Sequence, residues 1–145
     1  MLAQAYHELK DRQRKEFNEF PMAFAFSNEQ LDQAMLKLHA TPDQCCTVLG
    51  MGDIVRKENA PKLRNMIKRH NDEIYIFLTN DKNNAYEAFR YEMENHEYAI
   101  NWDGDDDVLG CFGLTYDKLV EFGLKDVYER ARRDYMKDAV ENEWF

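Results

Sequence analysis

The chain has 145 residues, 44% of them hydrophobic and 13% aromatic, with a net charge of −9. That is the length of one domain with a real core, which excludes global disorder. The negative balance excludes a nonspecific grip on DNA or on an anionic membrane, since both select for positive protein.

No apolar run approaches the roughly 18 residues of a membrane span. The opening MLAQAYHELKDRQRK is charged and amphipathic, without an apolar signal-peptide centre. A cytoplasmic protein in a bacterial host is expected. Cys45, Cys46 and Cys111 form an odd set with no C-x-x-C pair. They are expected to be reduced and mostly buried. The charge is uneven. Residues 56–69 hold six basic groups and one acidic, whereas residues 72–107 hold eleven acidic groups and two basic.

Taken in chain order, residues 2–19 predict a helix with Leu2, Tyr6, Leu9, Phe17 and Phe20 near one stripe. Pro21 ends it. Met22-Ala23-Phe24-Ala25-Phe26 alternates large and small, so Met22, Phe24 and Phe26 would share one face of a strand. Ser27-Asn28-Glu29-Gln30 reads as a capping box opening a helix that carries Leu31, Ala34, Met35 and Leu38. Thr41-Pro42-Asp43-Gln44 repeats the start signal. Residues 46–56 predict two short strands around Gly50-Met51-Gly52, a hairpin turn rather than a phosphate loop.

Further on, residues 59–79 predict a long helix and residues 82–96 another, separated at Asn80-Asp81. Tyr98-Ala99-Ile100-Asn101-Trp102 alternates like a strand. A short helix follows the aspartates, Thr115 caps the next, and residues 124–142 form the last. Leu124, Val127, Tyr128, Ala131, Tyr135 and Ala139 lie on one side of it. The terminal Trp144-Phe145 pair is either docked on the domain or open to a partner. The fold class is α+β: one acidic, mostly helical domain over residues 1–145 with a small antiparallel sheet of three or four short strands.

The chemistry is sparse. Four aspartates crowd Asp103-Gly104-Asp105-Asp106-Asp107. A calcium loop starting at Asp103 needs glycine at its sixth position and glutamate at its twelfth, and the chain has Val108 and Leu114 there. Asp105 or Asp106 is expected to cap the following helix, leaving the rest as surface charge. A two-metal nuclease needs carboxylates fixed on rigid elements, not crowded on one loop.

The histidines are equally plain. His96-Glu97 is not the H-E-x-x-H of a zinc protease. His70 falls on an apolar helix stripe and is expected buried and hydrogen-bonded. His96 is expected to donate to free helix-end carbonyls, and His7 and His39 to lie on the surface. A zinc site from His70, His96 and a cysteine is conceivable but unmarked by spacing. Nothing marks a nucleophile turn, so neither a catalytic residue nor a cofactor is assigned.

Several stretches are familiar together: EFNEFPMAFAFSNEQLDQAMLKL at 16–38, GMGDIVRK at 50–57, Arg69-His70, and YEMENHEYAINWD followed by GLT within 91–115. The chain resembles a family of small uncharacterised proteins encoded in Firmicutes genomes and in their phages and mobile elements. The likeness covers roughly residues 8–125. It departs from the family pattern at Asp53, where further glycine is usual, and at the Asp103 loop, which is longer and more acidic than the family's proline-containing turn. The resemblance implies no catalytic residues. It does imply a mobile-element setting, in which small acidic proteins often inhibit host nucleases.

The resulting expectation is a non-enzymatic acidic protein that binds a host protein or ribonucleoprotein complex with a basic surface, as an anti-CRISPR or other anti-defence inhibitor. The contact would use Glu92, Glu94, Asp103, Asp105, Asp106 and Asp107, with no membrane and no direct nucleic acid. Two alternatives stand beside it. One is a nucleic-acid-binding accessory protein using Arg56, Lys57, Lys62, Arg64, Lys68 and Arg69. The other is a metal-dependent enzyme using the 103–107 carboxylates.

Overall fold

The computed structural model describes residues 3–144. Among them the order is α1 (Gln4–Glu19), β1 (Ala23–Phe24), α2 (Asn28–Leu38), β2 (Cys45–Cys46), β3 (Asp53–Arg56), α3 (Ala60–Asn80), α4 (Lys82–Asn95), α5 (Gly104–Gly110), α6 (Tyr116–Glu121) and α7 (Lys125–Glu141). The protein is thus mostly helical α+β with a three-stranded antiparallel sheet. It divides into two compact units. Gln13–His70 forms one, and the residues up to Arg12 with those from Asn71 onward form the other. Leu2 and Phe145, both named in the sequence reading, lie outside the described residues.

In the Gln13–His70 unit β3 is the central strand, in the order β1-β3-β2. Ile54 stands opposite Ala23 and Val55 opposite Cys46. Successive strand side chains face opposite ways, and two small cores result. Val55 packs with Met22, Ala60, Leu63 and Met66, while Ile54 packs with Ala23, Ala34 and Leu38. The expected Met22/Phe24/Phe26 strand face is not formed. β1 is two residues long, and Phe24 and Phe26 are exposed. Gln30 explains this: its amide oxygen accepts from the Phe26 N–H at 2.8 Å, one residue earlier than in a capping box, and turns the chain into α2. Ser27 supplies the other half of the cap, accepting from the Gln30 N–H.

Gly52 sits at φ +80°, and a Cβ there would meet the Phe26 ring at 2.5 Å. Replacing Gly52 with alanine is expected to lower stability by about 1–2 kcal/mol, because an L side chain is strained in the left-handed region. Urea unfolding of the full chain measures it.

In the other unit α4 packs along α7. The predicted α7 stripe is buried throughout, from Leu124 to Ala139. Phe89 of α4 is fully buried, with its ring edge-on to Phe112 and Tyr128 at centroid distances of 5.1 and 5.2 Å. Asp81 caps α4 by accepting from the Asn83 and Asn84 N–H groups. Thr115 caps α6 through Lys118 N–H. All three cysteines are free and half-buried rather than buried.

The expected strand at Tyr98–Trp102 is instead a 3₁₀ turn over Tyr98–Ile100. The reason is local hydrogen bonding. Glu97 enters the left-handed region at φ 49°, and the Asn101 side chain accepts from Asp103 N–H and donates to the His96 carbonyl. Side chains that bond nearby backbone in this way favour turns over extended ladders.

Candidate functional site

The most unusual surface of the molecule is the segment that joins α4 to α5. Asn101 is its brace. Its Oδ1 accepts from Asp103 N–H at 2.9 Å, and its Nδ2 donates to the His96 carbonyl at 3.2 Å and to Asp107 Oδ2 at 2.9 Å. These three bonds hold the loop open around Trp102, whose side chain is 101% exposed. Ile100 beside it is 56% exposed. Next to Ile100 lies a cavity of about 430 Å³ lined by Glu94, Glu97, Ala99, Ile100, Tyr135 and Trp144. Trp144 rests on Tyr135, with ring centroids 5.5 Å apart. It is therefore docked on the domain while keeping an exposed face.

The acidic residues divide by role. Asp103, the chain neighbour of Trp102, and Asp106 are exposed, and Glu94 and Glu97 are exposed at the cavity rim. Asp107 is exposed but held by Asn101. Asp105 is a structural acceptor. It takes the Tyr98 hydroxyl at 2.9 Å and the Tyr128 hydroxyl at 2.5 Å, and pairs with Arg132 at 3.5 Å. Burial, and then this carboxylate, push both phenols above their ordinary range.

Two expectations are corrected here. Glu92 is not on the partner face: it is 6% exposed, because it follows Phe89 by three residues on the inner stripe of α4. Nor does Asp105 or Asp106 cap α5. Its N-cap position is Asp103, with no side-chain cap bond, and Asp105, Asp106 and Asp107 lie in the first turn. There they complement the positive end of the helix without closing it.

The basic segment is partly consumed by the fold. Arg56 donates to the Leu38 and His39 carbonyls at 3.1 and 2.7 Å, closing the end of α2, and also pairs with Glu58. Arg69 pairs with Glu16. Lys57, Lys62, Arg64 and Lys68 are exposed, the last three on α3. His70 is half-buried with Nε2 3.2 Å from Glu16 Oε2, and Gln13 donates to its carbonyl. His39 is exposed, whereas His7 is half-buried with its ring edge-on to Tyr91.

His96 does not seek helix-end carbonyls. Its Nε2 lies 3.1 Å from Cys111 Sγ. Glu92, His96 and Cys111 bring their ligand atoms within 4.8 Å of one another, the one such cluster among the described residues. Of the conceived His70/His96/Cys zinc set, His70 faces Glu16 and only His96 is seen with a cysteine. Sequence reasoning missed this trio, although the four-residue step from Glu92 to His96 does put both on one helix face.

No helix of the described residues is long and apolar enough to cross a membrane. No curated protein and no solved structure matches the chain. A family model does, over residues 5–134, which include all but the first residue of α1, then everything through α6, most of α7 and the whole Trp102 loop. The chain therefore belongs to the family of unknown function DUF7659.

Proposed function

We propose that the protein is a binding protein whose acidic, tryptophan-centred face docks onto a basic surface of a nucleic-acid-handling protein or ribonucleoprotein complex and obstructs it. The observation that carries this reading is Trp102: a full indole in water, on a braced loop that also carries the exposed carboxylates of Asp103, Asp106 and Asp107 close by in the chain. A large aromatic left in solvent forfeits the stabilisation that burial would give it. Tryptophans so placed are the residues that dominate protein–protein contacts, with charged neighbours forming a polar rim.

Charge supports the same partner chemistry. The unit carrying Trp102 has 21 acidic and ten basic residues, against seven and nine in the Gln13–His70 unit. A field of that sign steers encounter with a basic surface and repels free nucleic acid. The resemblance to proteins of Firmicutes phages and mobile elements is what favours, in this reading, a partner among host defence complexes of the CRISPR or restriction type. A purely nucleic-acid-binding role is less well supported, since Arg56 and Arg69 are engaged within the fold.

The test is affinity capture from a bacterial lysate, with and without nuclease treatment, followed by mass spectrometry. Retention of one nucleic-acid-handling complex in both arms, with release as salt rises, is the expected result. Loss of all retention after nuclease treatment would overturn it.

A further inference from the structure

The Glu92–His96–Cys111 cluster is built from two directions. Glu92 lies on the last turn of α4 and His96 is its C-cap, one helical step further on, while Cys111 is the C-cap residue of α5. A fourth group comes from α1. Tyr6 is 2% exposed and its hydroxyl has no hydrogen-bond partner. Its ring packs on Tyr91 and Phe112, and thus lies against the residues that flank Glu92 and Cys111 in the chain. A buried phenol hydroxyl is stabilised by a group that engages it.

We propose that Glu92, His96 and Cys111 form a three-ligand Zn²⁺ site, with the Tyr6 hydroxyl facing the fourth coordination position. One thiolate, one imidazole and one carboxylate suit a borderline ion of the zinc type, not Mg²⁺ or Ca²⁺, which take oxygen. Tetrahedral zinc with Zn–N near 2.0 Å and Zn–S near 2.3 Å spaces its ligand atoms by about 3.3–3.7 Å. The trio lies within 4.8 Å, so adjustments on the scale of rotamer settling bring it to that spacing.

The rival use of a Cys–His pair is a thiolate nucleophile, and the surroundings oppose it. Cys111 is half-buried with the Glu92 carboxylate beside it, whereas a nucleophilic cysteine sits in an electropositive setting that favours the thiolate. A divalent cation reverses this balance, because it displaces the thiol proton and neutralises the carboxylate. The site also closes the stretch from His96 to Cys111, which presents Trp102, so zinc would fasten that loop at both ends.

Titration of the full chain with Co²⁺ and Zn²⁺ tests the proposal. Co²⁺ is expected to give a thiolate charge-transfer band at one equivalent, and Zn²⁺ to abolish it. Calorimetry in buffers of different ionisation enthalpy should show protons released. Cys111→Ser should lose the band, and His96→Ala and Glu92→Gln should each weaken Zn²⁺ at least tenfold. Circular dichroism establishes that each variant is folded. A double Cys45→Ser/Cys46→Ser variant should bind as the parent does. Absence of a thiolate band in the folded parent, or a band that survives Cys111→Ser and disappears with Cys45 and Cys46, would overturn the assignment.

Discussion

Replacing Asp53 with alanine is expected to destabilise the protein by about 3–5 kcal/mol, the largest loss among single substitutions outside the apolar core. Asp53 is 1% exposed, at the start of β3. Its carboxylate accepts from Thr47 Oγ1 at 2.7 Å and from the N–H groups of Val48, Leu49 and Met51 at 2.8, 3.0 and 3.2 Å. It is the organiser of the 47–52 loop. Removing it takes the shared acceptor from three backbone N–H groups on a partly buried loop, and their losses are not additive. Asp53→Asn is expected to lose nearly as much, since its amide hydrogens would meet donors.

The pH dependence follows. Burial by itself would raise the Asp53 pKa, but donation from Leu49, Val48, Thr47 and Met51 outweighs it and holds the group well below the usual carboxylate range. A depressed folded pKa contributes stability that is complete above the unfolded value of about 4 and is lost as pH falls toward the folded one. The difference between parent and Asp53→Asn should therefore be constant from neutral pH down to about 5 and shrink below about 4. Chemical denaturation at a series of pH values measures it, and hydrogen exchange at Val48, Leu49 and Met51 localises it.

The second large effect is at Asp105, where Ala is expected to cost about 3 kcal/mol, while Asp106→Ala changes stability by less than about 0.5 kcal/mol. The two residues are neighbours of identical chemistry, so the contrast isolates environment. Tyr128 is fully buried and its hydroxyl has Asp105 as acceptor, as does the Tyr98 hydroxyl. Without Asp105 both phenols lose that acceptor and Arg132 keeps only Glu129 as a carboxylate partner. A combined Tyr98→Phe/Tyr128→Phe background should recover much of the loss, because the orphaned hydroxyls are removed together with their acceptor. Thermal unfolding of the four variants completes the comparison. Asp105 is consequently a poor probe of partner binding, since its loss perturbs the fold that carries the acidic face.

Much of the helical fold was legible because a 3.6-residue stripe survives over long segments. The buried series of α7, from Leu124 to Ala139, reads directly from spacing. The five-residue alternation at Tyr98–Trp102 was too short to separate a strand from a turn, and the Asn101 side chain decided it. Asp53 was noticed only as a departure from glycine. Its role depends on a loop folding back over it, which no periodicity records. Glu92 was grouped with the surface acids by charge, yet its place three residues after Phe89 marked the inner face. The acidic surface was visible in the sequence as a charge excess. Its division into exposed Asp103 and Asp106, braced Asp107 and half-buried, tyrosine-bound Asp105 was not, because Tyr98, Tyr128 and Arg132 reach it from elsewhere in the chain.

The central claim is that the Trp102 face binds a basic partner. The most direct measurement is the affinity of the captured complex for the parent and for Trp102→Ala/Asp103→Asn/Asp106→Asn, at two salt concentrations. The parent should weaken as salt rises, and the triple variant should bind at least about 30-fold more weakly while remaining folded, as loss of a central tryptophan anchor implies. Parent-like affinity in the triple variant, with binding abolished instead by Arg64→Ala/Lys68→Ala, would contradict the account and move the interface to α3.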